Sequence, residues 1–267
     1  MNRLLGSIVL LLAVLHSSAP AQEKPDPVDL VQKTKNPLAN QVSIQFQPNF
    51  NFGVEPNRNT EYVFNLQPNI PIGLPGDWVV ISRTILPLIN EPGAESGQGY
   101  TFGIGDIQPT FFITPPSSET FIWGFGPVFQ FPSASSTSLG TGKWEIGPTV
   151  AAVLNWGPWQ LGAQINNLWS FAGDPGRSAV NEMFLQPQVN YTLPDAWYLT
   201  WGPQVTANWK AAAGDRWTVP VGAGFGKVIS FGRQTLSVQA EGYYNAVRPS
   251  GGPTWSAILT IQLVFPR

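Results

Sequence analysis

The feature that most constrains this chain is an alternation of apolar and polar residues with period two. It is sustained over segments of about ten residues, the length a tilted strand needs to cross a bilayer. Val42, Ile44, Phe46, Pro48, Phe50 and Phe52 interleave with Ser43, Gln45, Gln47, Asn49 and Asn51. Trp197, Leu199, Trp201, Pro203, Val205, Ala207 and Trp209 interleave with Tyr198, Thr200, Gly202, Gln204, Thr206 and Asn208. Successive side chains on a strand point to opposite faces, so each segment has one greasy face and one polar face. The greasy faces must meet either lipid or one another.

Composition favours lipid. Charged residues make up 11% of the chain, against about 25% in soluble domains. The N-terminus runs from Met1-Asn2-Arg3 through an apolar stretch over 4–15 to small residues ending at Ala21, the pattern of a secretory signal peptide over residues 1–21. That stretch falls short of the roughly twenty apolar residues of a spanning helix, and nothing later resembles it. There is no cysteine, and the single histidine, His16, leaves with the signal. A disulfide scaffold, a thiolate or imidazole metal site and a Ser-His or Cys-His catalytic pair are therefore excluded from the mature chain. The formal charge is −2, or −3 once Arg3 is removed, with no basic patch for nucleic acid. No catalytic residue, cofactor or metal is expected.

The same rule gives twelve strands: 41–52, 61–70, 78–88, 103–114, 120–131, 143–155, 159–169, 182–193, 197–209, 216–228, 235–246 and 254–265. The third is apolar on both faces, so its parity is unassigned. Links after odd-numbered strands are mostly long and those after even-numbered strands mostly short. An even strand count with loops sorted this way is the pattern of a transmembrane antiparallel up-and-down β-barrel in the bacterial outer membrane, here all-β over residues 41–267. A soluble β-sandwich is the alternative fold. Aromatics agree with the barrel: Trp144, Trp169, Trp209, Trp217 and Trp255 fall at the outer rim, and Trp78, Trp159, Trp197 and Phe265 at the inner one. Residues 22–40, polar and carrying Pro25, Pro27 and Pro37, are expected as a disordered periplasmic lead, with a lumen plug as the other reading.

An apolar–Gln/Gly–Pro–x–apolar pattern recurs around Pro48, Pro68, Pro109, Pro127, Pro148, Pro187 and Pro203. Proline cannot donate to the ladder. The pattern is read as a ring of bulges or weakened pairing near mid-depth, the alternative being that it marks strand ends.

The chain resembles a family of bacterial outer-membrane proteins labelled as transporters, related to the phenol-degradation (MetA-pathway) group, some of which carry the label neuromedin U. The matching stretches are Asn36-Pro37-Leu38-Ala39-Asn40, Ile81-Ser82-Arg83-Thr84-Ile85-Leu86-Pro87, Gly105-Asp106-Ile107, Gly124-Phe125-Gly126-Pro127-Val128-Phe129, Trp169-Ser170-Phe171-Ala172-Gly173, and the end from Gly251-Gly252-Pro253 to Phe265-Pro266. The resemblance implies an outer-membrane barrel with a transport role, and brings no catalytic motif.

Twelve tilted strands give a backbone radius of about 12 Å, room for a small molecule once inward side chains are placed. The lumen-lining candidates are Gln45, Gln47, Glu61, Gln67, Arg83, Asp106, Gln108, Glu145, Gln164, Glu182, Gln186, Gln204, Arg216, Gln239 and Glu241. A charge facing lipid at mid-depth costs about 2–4 kcal/mol, which turns the charged members inward. They read either as a mixed-charge constriction or as Arg–carboxylate pairs bracing the wall. Gly222, Gly224 and Gly226 face the lumen and leave room or allow curvature. The function this supports is passive passage of small molecules, including small aromatic or amphiphilic ones. Its partners would be the lipid bilayer, the outer-membrane barrel assembly machinery and an unidentified solute. The alternatives are a structural or adhesive barrel and, far behind, an outer-membrane enzyme.

Overall fold

The computed structural model describes residues 26–232 and 234–265. The proposed signal peptide and Pro266-Arg267 lie outside the described residues. The strands are β1 Val42–Val54, β2 Asn59–Gly73, β3 Val79–Glu91, β4 Thr101–Ile104, β5 Gln108–Thr114, β6 Phe121–Gln130, β7 Lys143–Trp156, β8 Trp159–Gly173, β9 Asn181–Thr192, β10 Trp197–Trp201, β11 Val205–Asn208, β12 Trp217–Phe231, β13 Gln234–Val247 and β14 Trp255–Phe265. They form one 14-stranded antiparallel sheet. It closes where β1 pairs with β14, from Val42 opposite Phe265 to Phe52 opposite Trp255. Each of β4 and β5 pairs with β3, and each of β10 and β11 lies between β9 and β12. Counting each broken pair as one stave gives an up-and-down barrel of twelve staves, as the alternation predicts.

Inside and outside alternate along the staves. In β7, Trp144, Ile146 and Val150 are exposed while Glu145, Thr149, Ala151 and Val153 are buried. The parity of β3 is now assigned: Ile81 is buried and Arg83 and Ile85 line the lumen, while Leu88 is exposed on the outer wall. Apolar side chains such as Ile70, Phe125, Val150, Ile165, Leu199 and Val221 cover the outside. Burying them elsewhere is impossible in a closed sheet, so this band is the surface that lipid must cover. Trp144, Trp169, Trp209, Trp217 and Trp255 lie at strand ends beside the longer loops. Trp78, Trp159, Trp197 and Phe265 lie at the opposite, turn end.

The loop asymmetry holds in a reduced form. The loop end carries residues 92–100, 131–142, 174–180, 209–216 and 248–254, but β1 and β2 are joined there by 55–58 alone. The turn end carries connections as short as 157–158.

The repeated prolines do not produce bulges. Beside Pro48 the β1–β14 ladder lacks rungs between Phe46↔Ile261 and Asn49↔Ile258, yet the register is the same on both sides of the gap. The same holds beside Pro68 on the β3 side, Pro148 on the β8 side, and Pro187 on the side of β10 and β11. The rungs are missing because proline has no N–H to give. Register shifts lie instead at Phe52/Val54, Trp144/Glu145 and Val219/Pro220, near the loop end, and between Ile104 and Gln108 where β4 gives way to β5.

Residues expected as a disordered lead are ordered from Asp26 onward. Helix α1, Pro27–Lys35, starts where the Asp26 carboxylate accepts from the Val28 N–H at 2.8 Å, with Pro27 in the first turn. It stops at Asn36 because Pro37 disfavours a helical residue before it. Val31 is fully buried against Ala196, Tyr198 and Val228. Gln32 donates to the carbonyls of Gly157 and Trp159, and its own carbonyl accepts from Gln160 Nε2 at 2.8 Å. Lys35 donates to Gln239 Oε1, and Leu38 packs with Ile81, Phe112 and Ala151. Partners on β3, β5, β7, β8, β10, β12 and β13 surround the segment, so it sits inside the barrel at the turn end. The reason is chemical: one apolar residue finds an apolar pocket, and the polar flanks find the amides of the inner wall.

Candidate functional site

Above α1 the lumen is a chain of cavities. The inner one, about 160 Å³, is lined by Gln45, Gln47, Gln67, Gln186, Gln204, Gln239 and Glu241 together with Lys35. The outer one, about 700 Å³, is lined by Gln108, Gln164, Glu182 and Arg216 and reaches the loops at Asp215 and Ser250. Arg83, Ile85 and Phe184 line both and therefore stand where the two adjoin. A further cavity of about 270 Å³, lined by β1, β2 and β11–β14, shares Asn65, Gln204, Thr206 and Thr218 with these. On the far side of α1, a cavity of about 370 Å³ opens at the turn end beside Gln32 and Lys33.

Three of the sequence candidates are engaged in hydrogen bonds near the loop end. Asp106 lies where the register between β3 and the β4–β5 stave changes by one residue, and its carboxylate binds the 131–142 loop. It accepts from Thr141 N–H at 2.6 Å and Ala134 N–H at 3.1 Å. Glu145 is buried and accepts from the Thr141 hydroxyl at 2.8 Å and Gln130 Nε2 at 3.2 Å. Both pin the 131–142 loop to the wall. Glu61 accepts from Asn51 Nδ2 at 2.6 Å beside the loop end.

Of the two arginines, neither braces the wall by an ion pair among the described residues. The Nε of each is buried without a hydrogen-bond partner. Arg83 lies 5.9 Å from the Phe112 ring centroid, and Arg216 5.9 Å from that of Trp209. The inner cavity has a connected network instead. Gln239 Nε2 donates to Glu241 Oε2 at 2.6 Å, Tyr243 Oη donates to Glu241 Oε1 at 2.7 Å, and Tyr198 Oη donates to Gln239 at 3.0 Å. The space left by the inward glycines is occupied: a Cβ on Gly226 would lie 2.4 Å from the Tyr198 ring, and one on Gly222 2.8 Å from that of Tyr243.

The lining candidates that the sequence offers are all polar or charged, which passes over Ile85 and Phe184. The parity of β9, with Glu182 and Gln186 inward, already turns Phe184 inward with them.

No protein-family profile and no curated protein matches the chain. Among solved structures it is similar to an outer membrane channel from Pseudomonas putida, with a TM-score of 0.64 at 18% identity over 85% of this chain and 96% of that one. It is also similar to the NanC porin, with a TM-score of 0.54 at 11% identity over 84% of this chain and all of that one (100%). At these identities what is shared is the fold, a closed antiparallel barrel of the kind found in the outer membrane.

Proposed function

We propose that the protein is a channel of the bacterial outer membrane, reached through a signal peptide and the barrel assembly machinery, that passes small organic solutes by diffusion. The observation that carries this reading is the lumen: a run of adjoining cavities with amide-rich walls that share Arg83, Ile85 and Phe184. Neutral polar walls hydrate a small solute without holding it tightly, and passage requires both entry and release. The likeness in fold to a channel and a porin supports the reading. The turn end faces the periplasm in this arrangement, so α1 lies across the periplasmic exit. A solute-passing role also fits a chain in which no histidine follows residue 16 to serve as a catalytic base.

The test is conductance and solute-driven swelling of proteoliposomes, with the full chain and with residues 27–35 removed. Stepwise ion conductance in either form is the expected result. A folded barrel that is silent in both forms, to ions and to small sugars, overturns the proposal and leaves a structural or adhesive role.

A further inference from the structure

The junction of the two lumen cavities carries a charge with no partner among the described residues. Arg83 sits on β3 between the two lumen cavities, and its guanidinium pairs with no carboxylate among the described residues. A guanidinium stays protonated and presents five N–H donors in a planar fork suited to a carboxylate. The residues around it add donors of the same kind. Gln164 and Asn166 stand opposite Gln186 and Phe184 in the β8–β9 register, which puts them at the level of that junction. Gln164 Nε2 and Asn166 Nδ2 are both buried without a partner. Every buried unpartnered side-chain atom among the residues lining the outer cavity is an N–H donor: Arg83 Nε, Gln164 Nε2, Asn166 Nδ2 and Arg216 Nε. Unmet donors cost free energy until an acceptor arrives.

The carboxylates that line the two cavities do not answer this demand. Glu182 and Asp215 line the same cavity toward its loop end, where Glu182 also borders the space under Arg177, and Asp215 is engaged by the Ser250 N–H at 2.7 Å. On the inner side both oxygens of Glu241 are taken by Gln239 and Tyr243. Among the described residues, the junction therefore combines one unpaired guanidinium and amide donors with two apolar side chains, Ile85 and Phe184.

We propose that Arg83 is the anion-recognition residue of a binding site at the floor of the outer cavity. The site takes a small organic carboxylate whose apolar body lies against Ile85 and Phe184. This names a solute class and rests on the channel reading above. The charged end selects and the apolar walls hold, so the neutral amide of the same shape is rejected.

Binding to the purified full chain in detergent, followed by calorimetry with benzoate, benzamide and acetate, tests the proposal. Benzoate is expected to bind, acetate more weakly for want of an apolar body, and benzamide weakest. Arg83→Gln is expected to weaken benzoate by about tenfold or more, the loss of one charge-assisted hydrogen bond, with Arg83→Lys in between. Should Arg83→Gln not fold, Phe184→Ala, expected to reduce benzoate toward the level of acetate, carries the test with the wild-type comparison. Benzamide binding as tightly as benzoate, or an unchanged benzoate affinity in folded Arg83→Gln, overturns the assignment. The two readings separate cleanly. Conductance without benzoate binding sinks this inference and spares the channel, whereas benzoate binding to a silent barrel does the reverse.

Discussion

At the scale of single residues, the wall depends on glycine and proline acting together. Where Pro148 and Pro127 remove rungs, the preceding glycine faces the lumen and the neighbouring strand moves into the space a side chain would need. A Cβ on Gly147 would lie 1.6 Å from the Asn167 carbonyl oxygen, and one on Gly126 2.0 Å from that of Phe111. Backbone cannot yield as a flexible side chain does, so Gly147→Ala is expected to destabilise the barrel by about 1–3 kcal/mol. Gly242, with nothing within 4 Å of its added Cβ, serves as the contrast and tolerates alanine. Urea midpoints of the two variants in micelles measure the difference, and equal midpoints would contradict the close approach. A second residue-scale device ties two outer loops together. The backbone N–H and hydroxyl of Ser250 hold the Asp215 carboxyl below its ordinary pKa. A depressed folded pKa means that the tie is complete above the unfolded value and is lost only as pH falls through the folded one. Exchange of the Ser250 amide proton should therefore stay protected, relative to Asp215→Asn, from neutrality down to about pH 5, above the ordinary Asp range. Loss of that protection near pH 6 would count against the contact.

At the scale of elements, the two broken staves separate what periodicity reports from what it cannot. The alternation runs without a slip from Trp197 to Trp209, so it reads as one strand, yet pairing with β12 lapses between Thr200↔Gly224 and Thr206↔Thr218. Residues 202–204 turn inward there. The Gly202 N–H reaches the Tyr243 hydroxyl at 3.1 Å and its carbonyl accepts from Gln186 Nε2 at 3.2 Å. Period-two patterning reports which face a side chain takes, not whether the backbone between two strands is hydrogen-bonded. Pro203 was the available signal, and the same residue type at Pro48 or Pro68 leaves its strand whole. The substitutes for the missing rungs are side chains, so the break is vulnerable to side-chain change. Tyr243→Phe leaves the buried Gly202 N–H without an acceptor and removes a donor from Glu241. A loss of about 1–3 kcal/mol follows from the unsatisfied group. The temperature at which the compact band disappears on unboiled gels should fall relative to wild type. An unchanged temperature would mean that another acceptor replaces the hydroxyl.

At the scale of the whole molecule, strand count, closure and the direction of the lipid face were all legible, because a closed wall in lipid forces the same choice at every second residue. Parity alone also set which polar side chains share a face with the residues around the inner cavity. The occupant of the lumen was not legible, because a short helix with one buried apolar residue, Val31, has no period to detect among polar neighbours. Its docking depends on the inner wall, which supplies Ala196, Tyr198 and Val228 around Val31 and the amides of Gln160 and Gln239 around the polar flanks. That division of labour predicts how it can be displaced. Val31→Asp places a carboxylate among apolar side chains, a burial the site cannot compensate. The barrel itself closes through β1 and β14 downstream of α1 and does not need the helix to hold its register. Undocking α1 should then join the inner cavity to the turn-end opening beside Gln32 and Lys33. Single-channel conductance should rise several-fold in Val31→Asp and in the chain lacking residues 27–35, while the urea midpoint of the barrel changes little. Equal conductance in all three forms would place the resistance at Arg83, Ile85 and Phe184 instead, and Phe184→Ala would then be the variant that raises it.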